Sequence, residues 1–251
     1  MAAADSMADG APINWSLREC RDAQQQAADL AGTIAERLRQ AVRQRGQALL
    51  AVSGGKSPLA LFAALREQDL PWEQVTLLLA DERCVPPDHA DSNGALVREQ
   101  LLQGRAAAAS WQPFFGQLPD GDSADWSEAE LDALAANANQ RLAALPWPLD
   151  VLVLGMGEDG HTASLFPDSP GLENALQSSA RVAWVRPATA PHARLTLTLP
   201  TLLEAGAIFL PLAGERKRQV FEQASLQPSA AQPVSLVLHQ AVRPVQVWLA
   251  P

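Results

Sequence analysis

The chain has 251 residues, 47% of them hydrophobic and 19% charged, with a formal net charge of −9. That length suits one large domain or two small ones, and the acidic balance argues against a nucleic-acid or anionic-membrane surface, which needs a basic face. No stretch approaches the roughly 18 uninterrupted apolar residues of a membrane helix, and Cys20 and Cys84 are too few for a disulfide framework and show no zinc spacing. Everything fits a reduced, cytosolic compartment. A phosphorylated small molecule stays open as a ligand, because it needs only a local cluster of donors.

Residues 1–14 are rich in Ala, Asp and Gly, with no basic patch before an apolar core. They read as a disordered tail rather than a signal peptide, leaving 15–251 as a single domain. Over 17–45 apolar residues recur at helical spacing through Ala27, Leu30, Ala31, Ile34, Leu38 and Val42, which predicts one long amphipathic helix capped by Gly46. A buried strand follows at 48–52. Next comes Ser53-Gly54-Gly55-Lys56-Ser57-Pro58, with Ser57 placed as an N-cap and Pro58 as the first residue of a helix. Strand, Gly-Gly loop and helix N-terminus together suit a phosphate, although an ordinary strand-to-helix turn uses the same residues.

A strand at 75–80 runs into Asp81-Glu82-Arg83-Cys84-Val85-Pro86, and Asp91-Ser92-Asn93 leads into a helix over 94–102. Charge runs are usually solvated loops, but this one follows a buried strand, where open α/β sheets bind ligands. A short strand is expected at 111–115, a polar loop at 118–125, and a helix from Ser127 to about residue 144. The apolar run 150–153 then delivers Leu154-Gly155-Met156-Gly157-Glu158-Asp159-Gly160-His161-Thr162-Ala163-Ser164-Leu165-Phe166-Pro167. Its glycines allow tight folding around one His with an Asp two residues before it. Strands are expected at 181–185, 194–199, 207–212, 234–239 and 245–249, with a short helix at 200–205 and another starting at Gly214-Glu215-Arg216-Lys217.

This alternation predicts an α/β fold: three layers, a mostly parallel sheet with helices on both faces. In such a sheet the βα loops share one edge, so residues 53–57, 81–83, 155–161 and 214–217 converge on one rim. The three motifs at 53–58, 81–86 with Ser92-Asn93, and 155–167, together with Arg194-Leu195-Thr196-Leu197-Thr198-Leu199-Pro200, resemble 6-phosphogluconolactonase. The resemblance runs in order from about Leu49 to Lys217, and the His-containing motif is its most specific part. It implies hydrolysis of 6-phospho-D-glucono-1,5-lactone in the oxidative pentose phosphate pathway. It also implies a Rossmann-like fold shared with glucosamine-6-phosphate deaminase and ribose-5-phosphate isomerase. Neither a metal nor an organic cofactor is implied, and the partner is a phosphorylated sugar lactone, bound by a cytoplasmic monomer or small homo-oligomer.

The pattern departs in two places. Lys56 stands at the fourth position of the glycine loop, where the family often has Ser. The segment Arg186-Pro187-Ala188-Thr189-Ala190-Pro191-His192 replaces a Lys-Pro-Pro element, leaving Arg186 or Arg194 to supply that cation. On this reading His161 is the general base, and Asp159 orients it or, with Asp81, holds sugar hydroxyls. Backbone N–H groups of the glycine loops stabilise the oxyanion. Ser53, Gly54, Gly55, Lys56, Ser57, Arg83, Arg194 and Lys217 form the phosphate and substrate set. His89, His192 and His239 are read as surface or core residues.

Two rivals compete. A sugar-phosphate deaminase or isomerase would use the same Asp81 and Asp159-Gly160-His161, but its pattern continues to Asn-Glu-Pro, and here Phe166 stands where that Glu belongs. A non-catalytic sugar-phosphate sensor would usually carry a DNA-binding segment, and this acidic chain offers no basic helix-turn-helix.

Overall fold

A computed structural model describes residues 14–55, 57–240 and 242–251. The expected N-terminal tail and Lys56 therefore lie outside the described residues, apart from Asn14. In chain order the strands are β1 (Trp15–Glu19), β2 (Ala48–Val52), β3 (Val75–Leu79), β4 (Asp81–Arg83) and β5 (Ser110–Trp111), then β6 (Val151–Val153), β7 (Val182–Val185), β8 (Arg194–Leu197), β9 (Ile208–Ala213) and β10 (Val245–Ala250). The helices are α1 (Ala23–Arg45), α2 (Leu59–Leu65), α3 (Asn93–Gln100), α4 (Glu128–Leu142), α5 (Leu172–Gln177), α6 (Leu199–Leu203), α7 (Glu215–Ala224) and α8 (Val234–Leu238).

Seven strands form one sheet in the order β1-β10-β9-β6-β2-β3-β5, with every neighbouring pair parallel. Because parallel crossovers are right-handed, connections running one way across the sheet place α1 and α2 on one face. The return connections place α4 and α7 on the other. The direction reverses between β2, which leads outward to β3, and β6, which leads back to β9. That is a topological switch point, the place where an open α/β sheet has a crevice at its strand carboxyl ends. The register lines those ends up: Val52 pairs with both Leu79 and Val153.

Burial explains why these segments are strands. All five residues of β2 are buried, as a central parallel strand covered on both faces requires. The buried stripe Ala27, Leu30, Ala31, Ile34, Ala35 and Leu38 packs α1 onto the sheet, and Gly46 closes that helix with its amide on the Val42 carbonyl. Ser127 opens α4 through a reciprocal capping box with Glu130.

Several expectations are corrected. The helix predicted from residue 17 starts at Ala23, because the Asp22 side chain accepts from Gln25 N at 2.7 Å and fixes the first turn there. The preceding residues form the edge strand β1 instead. The strand predicted at 234–239 is helix α8; a short apolar run cannot by itself separate strand from helix, and Pro233 sets a helical backbone angle of −57° just before it. The strand expected at 111–115 ends at Trp111, since Pro113 has no N–H for the ladder. Pro58, not Ser57, occupies the cap position of α2, and Ser57 makes no cap bond. The helix expected from residue 94 begins at Asn93, with Ser92 capping Ala95 N at 3.0 Å.

The largest correction concerns Asp81, Glu82 and Arg83, expected in a loop. They form β4, the edge of a second sheet of three strands in the order β4-β8-β7, antiparallel throughout. The segments expected at 181–185 and 194–199 as members of the main sheet are β7 and β8 of this smaller one.

Candidate active site

At the switch point lies a cleft of about 150 Å³ lined by Ser53, Gly54, Gly55 and Ser57 after β2, Asp81 and Arg83 of β4, and Asn93. Gly155, Met156, Gly157, His161 and Ala163 follow β6, and Arg194 and Lys217 complete the wall. Of the residues singled out from sequence, Ser53, Gly54, Gly55, Ser57, Asp81, Arg83, His161, Arg194 and Lys217 thus converge. Asp159 stands behind the wall, and Arg186 is elsewhere, its guanidinium tied to the carbonyl of Trp126.

The His161 segment is held by its own backbone. Gly157 N donates to His161 O at 2.9 Å, and Gly160 N donates to Gly157 O at 3.1 Å. Thr162 Oγ1 donates to Gly155 O at 2.8 Å. Helix α8 buttresses the turn from outside, with Val234 N donating to Gly160 O at 3.0 Å. Gly157 has to be glycine: a Cβ there would stand 2.2 Å from the His161 ring and 2.4 Å from Asp159 Oδ1. These bonds correct one expectation, because the amides of Gly157 and Gly160 are spent inside the loop and do not face an oxyanion.

Within that turn His161 Nδ1 and Asp159 Oδ1 are 2.5 Å apart, and the same oxygen accepts from His161 N at 3.2 Å. A carboxylate on Nδ1 selects the tautomer with Nδ1–H and leaves the Nε2 lone pair free. Burial pushes the Asp159 carboxyl up, but the His161 charge and its hydrogen bonds outweigh this, leaving it below the usual carboxylate range. The imidazole stacks on Phe166, with centroids 3.9 Å apart and planes 20° from parallel.

The opposite wall comes from the small sheet. In the β4–β8 register Arg83 faces Arg194 and Asp81 faces Thr196, so all four side chains share one face. The Arg83 guanidinium donates to the Asp91 carbonyl at 2.6 Å, and the Arg194 guanidinium lies 4.8 Å from the Phe166 ring centroid. Both Nε atoms are buried without a partner, as is Ser53 Oγ. Burial lowers the Arg194 pKa; Asp81 opposes this and Arg83 adds to it. Two crowded guanidiniums with donors to spare suit an anion that neutralises them. Asp81 is buried, and its Oδ2 accepts from Ser164 Oγ at 2.6 Å. It does not touch His161 in the hydrogen-bond network, so Asp159 alone holds the imidazole.

Lys217 Nζ donates to Ser57 Oγ at 2.9 Å, and burial lowers its pKa against the opposing charge of Glu158. These side chains lie beside the start of α2, where the phosphate cradle is expected. That helix spans only Leu59–Leu65 and has no side-chain cap.

Sequence reasoning missed Asn93 and Ala163 as cleft residues, and placed Gly155, Met156 and Gly157 on the rim without giving them a role. Asn93 carried a signal, the adjacent Ser92 cap. Its Nδ2 donates to Asp81 O at 2.9 Å, and it packs so closely that a Cβ on Gly54 would lie 2.1 Å from its Oδ1. Glu82 fixes this arrangement from below: it is buried and accepts from the amides of Arg83, Asn93 and Gly94 and from Ser92 Oγ. Burial raises its pKa against those bonds.

A larger cavity of about 560 Å³ lies outside this cluster, among Trp111, Phe115, Trp126 and several prolines. Its wall holds Cys84, whose thiol burial pushes up to about 12, so it carries no activated nucleophile. The smaller cleft is the one with converging chemistry.

Comparisons with known proteins point to a family. Residues 21–248 match the family described as glucosamine-6-phosphate isomerases/6-phosphogluconolactonase. The 6-phosphogluconolactonase of Neisseria meningitidis is 46% identical over 227 residues, 89% of this chain and 94% of that protein. A crystal structure of a 6-phosphogluconolactonase from Shewanella baltica superposes with a TM-score of 0.88 at 40% identity, covering 94% of this chain and 98% of the other. A monomeric glucosamine-6-phosphate deaminase shares the fold at 18% identity, with a TM-score of 0.71 over 92% of this chain and 96% of its own.

Proposed function

The chain belongs to the glucosamine-6-phosphate isomerase/6-phosphogluconolactonase family, and we propose that His161 is its general base and the Arg83–Arg194 pair its phosphate anchor. The reaction is hydrolysis of 6-phospho-D-glucono-1,5-lactone to 6-phospho-D-gluconate, the lactonase step of the oxidative pentose phosphate pathway. The observation that carries the residue roles is the Asp159–His161 contact of 2.5 Å in a cleft whose far wall is two arginines.

In this mechanism Nε2 of His161 takes a proton from water as its oxygen attacks the lactone C1 carbon. The carbonyl oxygen becomes an oxyanion, held by the amides of Gly54 and Gly55. Asp159 keeps the ring oriented and stabilises the imidazolium that forms. When the intermediate collapses, the bond from C1 to the ring oxygen breaks, and Nε2–H returns its proton to that oxygen. The product is the open acid, and the base is regenerated. Arg83, Arg194, Ser57 and Lys217 bind the remote phosphate and so hold C1 against the nucleophile. Lys56, by its place in the glycine loop, adds a further cation. Asp81 and Asn93 hold sugar hydroxyls.

Deamination is not favoured, because that chemistry wants a carboxylate at position 166, and Phe166 stacks on the His161 ring instead. The same reading places the enzyme in a reducing cytoplasm, acting on its own or as a small homo-oligomer. In support, Cys20 and Cys84 are unpaired, the net charge is −9, and no described helix is long and apolar enough to cross a membrane.

The test compares two freshly generated lactones, with and without the 6-phosphate, each measured as acid formation above the spontaneous rate. The phosphorylated lactone should be hydrolysed with kcat/KM at least about 100-fold higher, the worth of two charge-assisted bonds. Equal rates would remove the phosphate anchor from the mechanism.

A further inference from the structure

Outside the cleft, His89, Asp91 and His192 bring three metal-ligating side chains to one point. One potential ligand atom from each lies within 4.8 Å of the others. His192 Nε2 is 3.1 Å from Asp91 Oδ2, and His89 Nδ1 is 3.9 Å from the same oxygen. None of the three lines the cleft. The sequence does not reveal the group, because His192 comes from the β7–β8 loop, and the only short spacing is His89-Ala90-Asp91 in the turn after β4.

We propose that His89, Asp91 and His192 form a binding site for a zinc-class divalent cation that ties these two loops together beside the arginine wall. Two imidazoles and one carboxylate are the donor set such ions take, with a fourth position left to water. At bond lengths of about 2.0–2.1 Å, ligand atoms in a tetrahedral site stand about 3.3–3.4 Å apart. The two separations to Asp91 Oδ2, 3.1 and 3.9 Å, bracket that value, and since all three ligand atoms lie within 4.8 Å of one another, side-chain rotations can draw the imidazoles in.

His89 Nδ1 accepts from Asp91 N at 3.1 Å, a bond the ion would displace, since that nitrogen has one lone pair. Two further features favour ligation over a plain ion pair. The two imidazoles meet edge to face, with centroids 5.5 Å apart and planes at 80°, which keeps both rings at one centre without stacking. His192 also holds a positive backbone angle, φ 67°, unusual for a residue with a side chain and the conformation that presents its ring there.

The ion would act on the site through position, not chemistry. The Asp91 carbonyl receives the Arg83 guanidinium, and His192 stands two residues before Arg194. A cation bridging the loops therefore fixes the supports of both arginines.

The experiment titrates the full, metal-free chain with Zn²⁺ alone, following heat and stoichiometry, and repeats it with Co²⁺ for the visible bands of a low-coordinate site. One equivalent should bind, and His89→Ala and His192→Ala should each weaken it at least tenfold. His161→Ala, which removes the other His–carboxylate pair, and His239→Ala should bind as wild type does. Lactonase activity of the metal-free His89→Ala chain, within about twofold of wild type, shows that it is folded; His89 is exposed, so its replacement leaves no buried cavity. Should His192→Ala fail to fold, His89→Ala decides the matter alone. Binding that survives in His89→Ala, or no equivalent bound by wild type at micromolar Zn²⁺, overturns the site.

Discussion

The wall of the cleft that carries His161 is one continuous segment folded on itself, whereas the wall that carries Arg83 and Arg194 exists only where two strands of a second sheet meet. In the first, a glycine-rich turn brings Asp159 onto His161 through contacts two to seven residues apart. In the second, an antiparallel register pairs residues far apart in the chain. In the proposed mechanism the local wall holds the group that moves a proton, and the assembled wall holds the groups that recognise charge. Phe166 joins them, with His161 stacked on its ring and Arg194 beside it. On that proposal a remote phosphate seated on one wall sets the position of the lactone carbon on the other.

Removing the proton-moving group should have the largest effect. His161→Ala is expected to lower kcat by about 10³, in the range by which general bases contribute, with KM changed little. Steady-state kinetics on the phosphorylated lactone, together with inhibition by 6-phosphogluconate, separates the two parameters. Wild-type turnover in this variant would take His161 out of the mechanism.

Breaking the assembled wall should look different. Arg194→Ala removes a buried cation and is expected to lower kcat/KM by about 100-fold, mostly through KM. Arg83→Ala should act in the same direction. Both should narrow the preference for the phosphorylated over the unphosphorylated lactone, which His161→Ala leaves intact. If KM held steady in both arginine variants, the phosphate would have to sit elsewhere.

The same contrast governs what could be read from the sequence. The His161 turn was legible because its determinants are neighbours: glycines close in the chain, one of them, Gly157, where a Cβ would strike His161, an Asp two residues away, and a strand leading in. The central strands were equally plain, since β2 is an unbroken apolar run and β3 is interrupted only by Thr76. Arg83 and Arg194 could be nominated, but not paired, because antiparallel register is a tertiary fact. Glu82 shows the cost of this: as part of a charge run it looks like a solvated loop, yet it is buried under α3 with four donors converging on its carboxylate. Helix α8 was misjudged because five apolar-rich residues fit either period until Gly160 and Phe221's helix α7 provide something to pack on.

The smallest effect tests the edge where the two walls meet solvent. Lys217 reaches Ser57 from the first turn of α7, and burial holds its pKa below the ordinary lysine value of 10.5. The sign follows directly: the amine is charged below the lowered pKa and neutral above it, so its hold on a phosphate dianion weakens as pH rises through that value. Because the lactone is labile in base, the readout is binding of the product, 6-phosphogluconate, from neutral pH up to the ordinary lysine value of 10.5. Wild-type affinity should fall by up to roughly fivefold over that range, as suits a partly exposed ion pair, and less so in high salt. Lys217→Arg keeps its charge throughout and should flatten the curve. A wild-type curve already flat would mean that Lys217 serves Ser57 alone, and that the arginine wall carries the phosphate without help from the opposite rim.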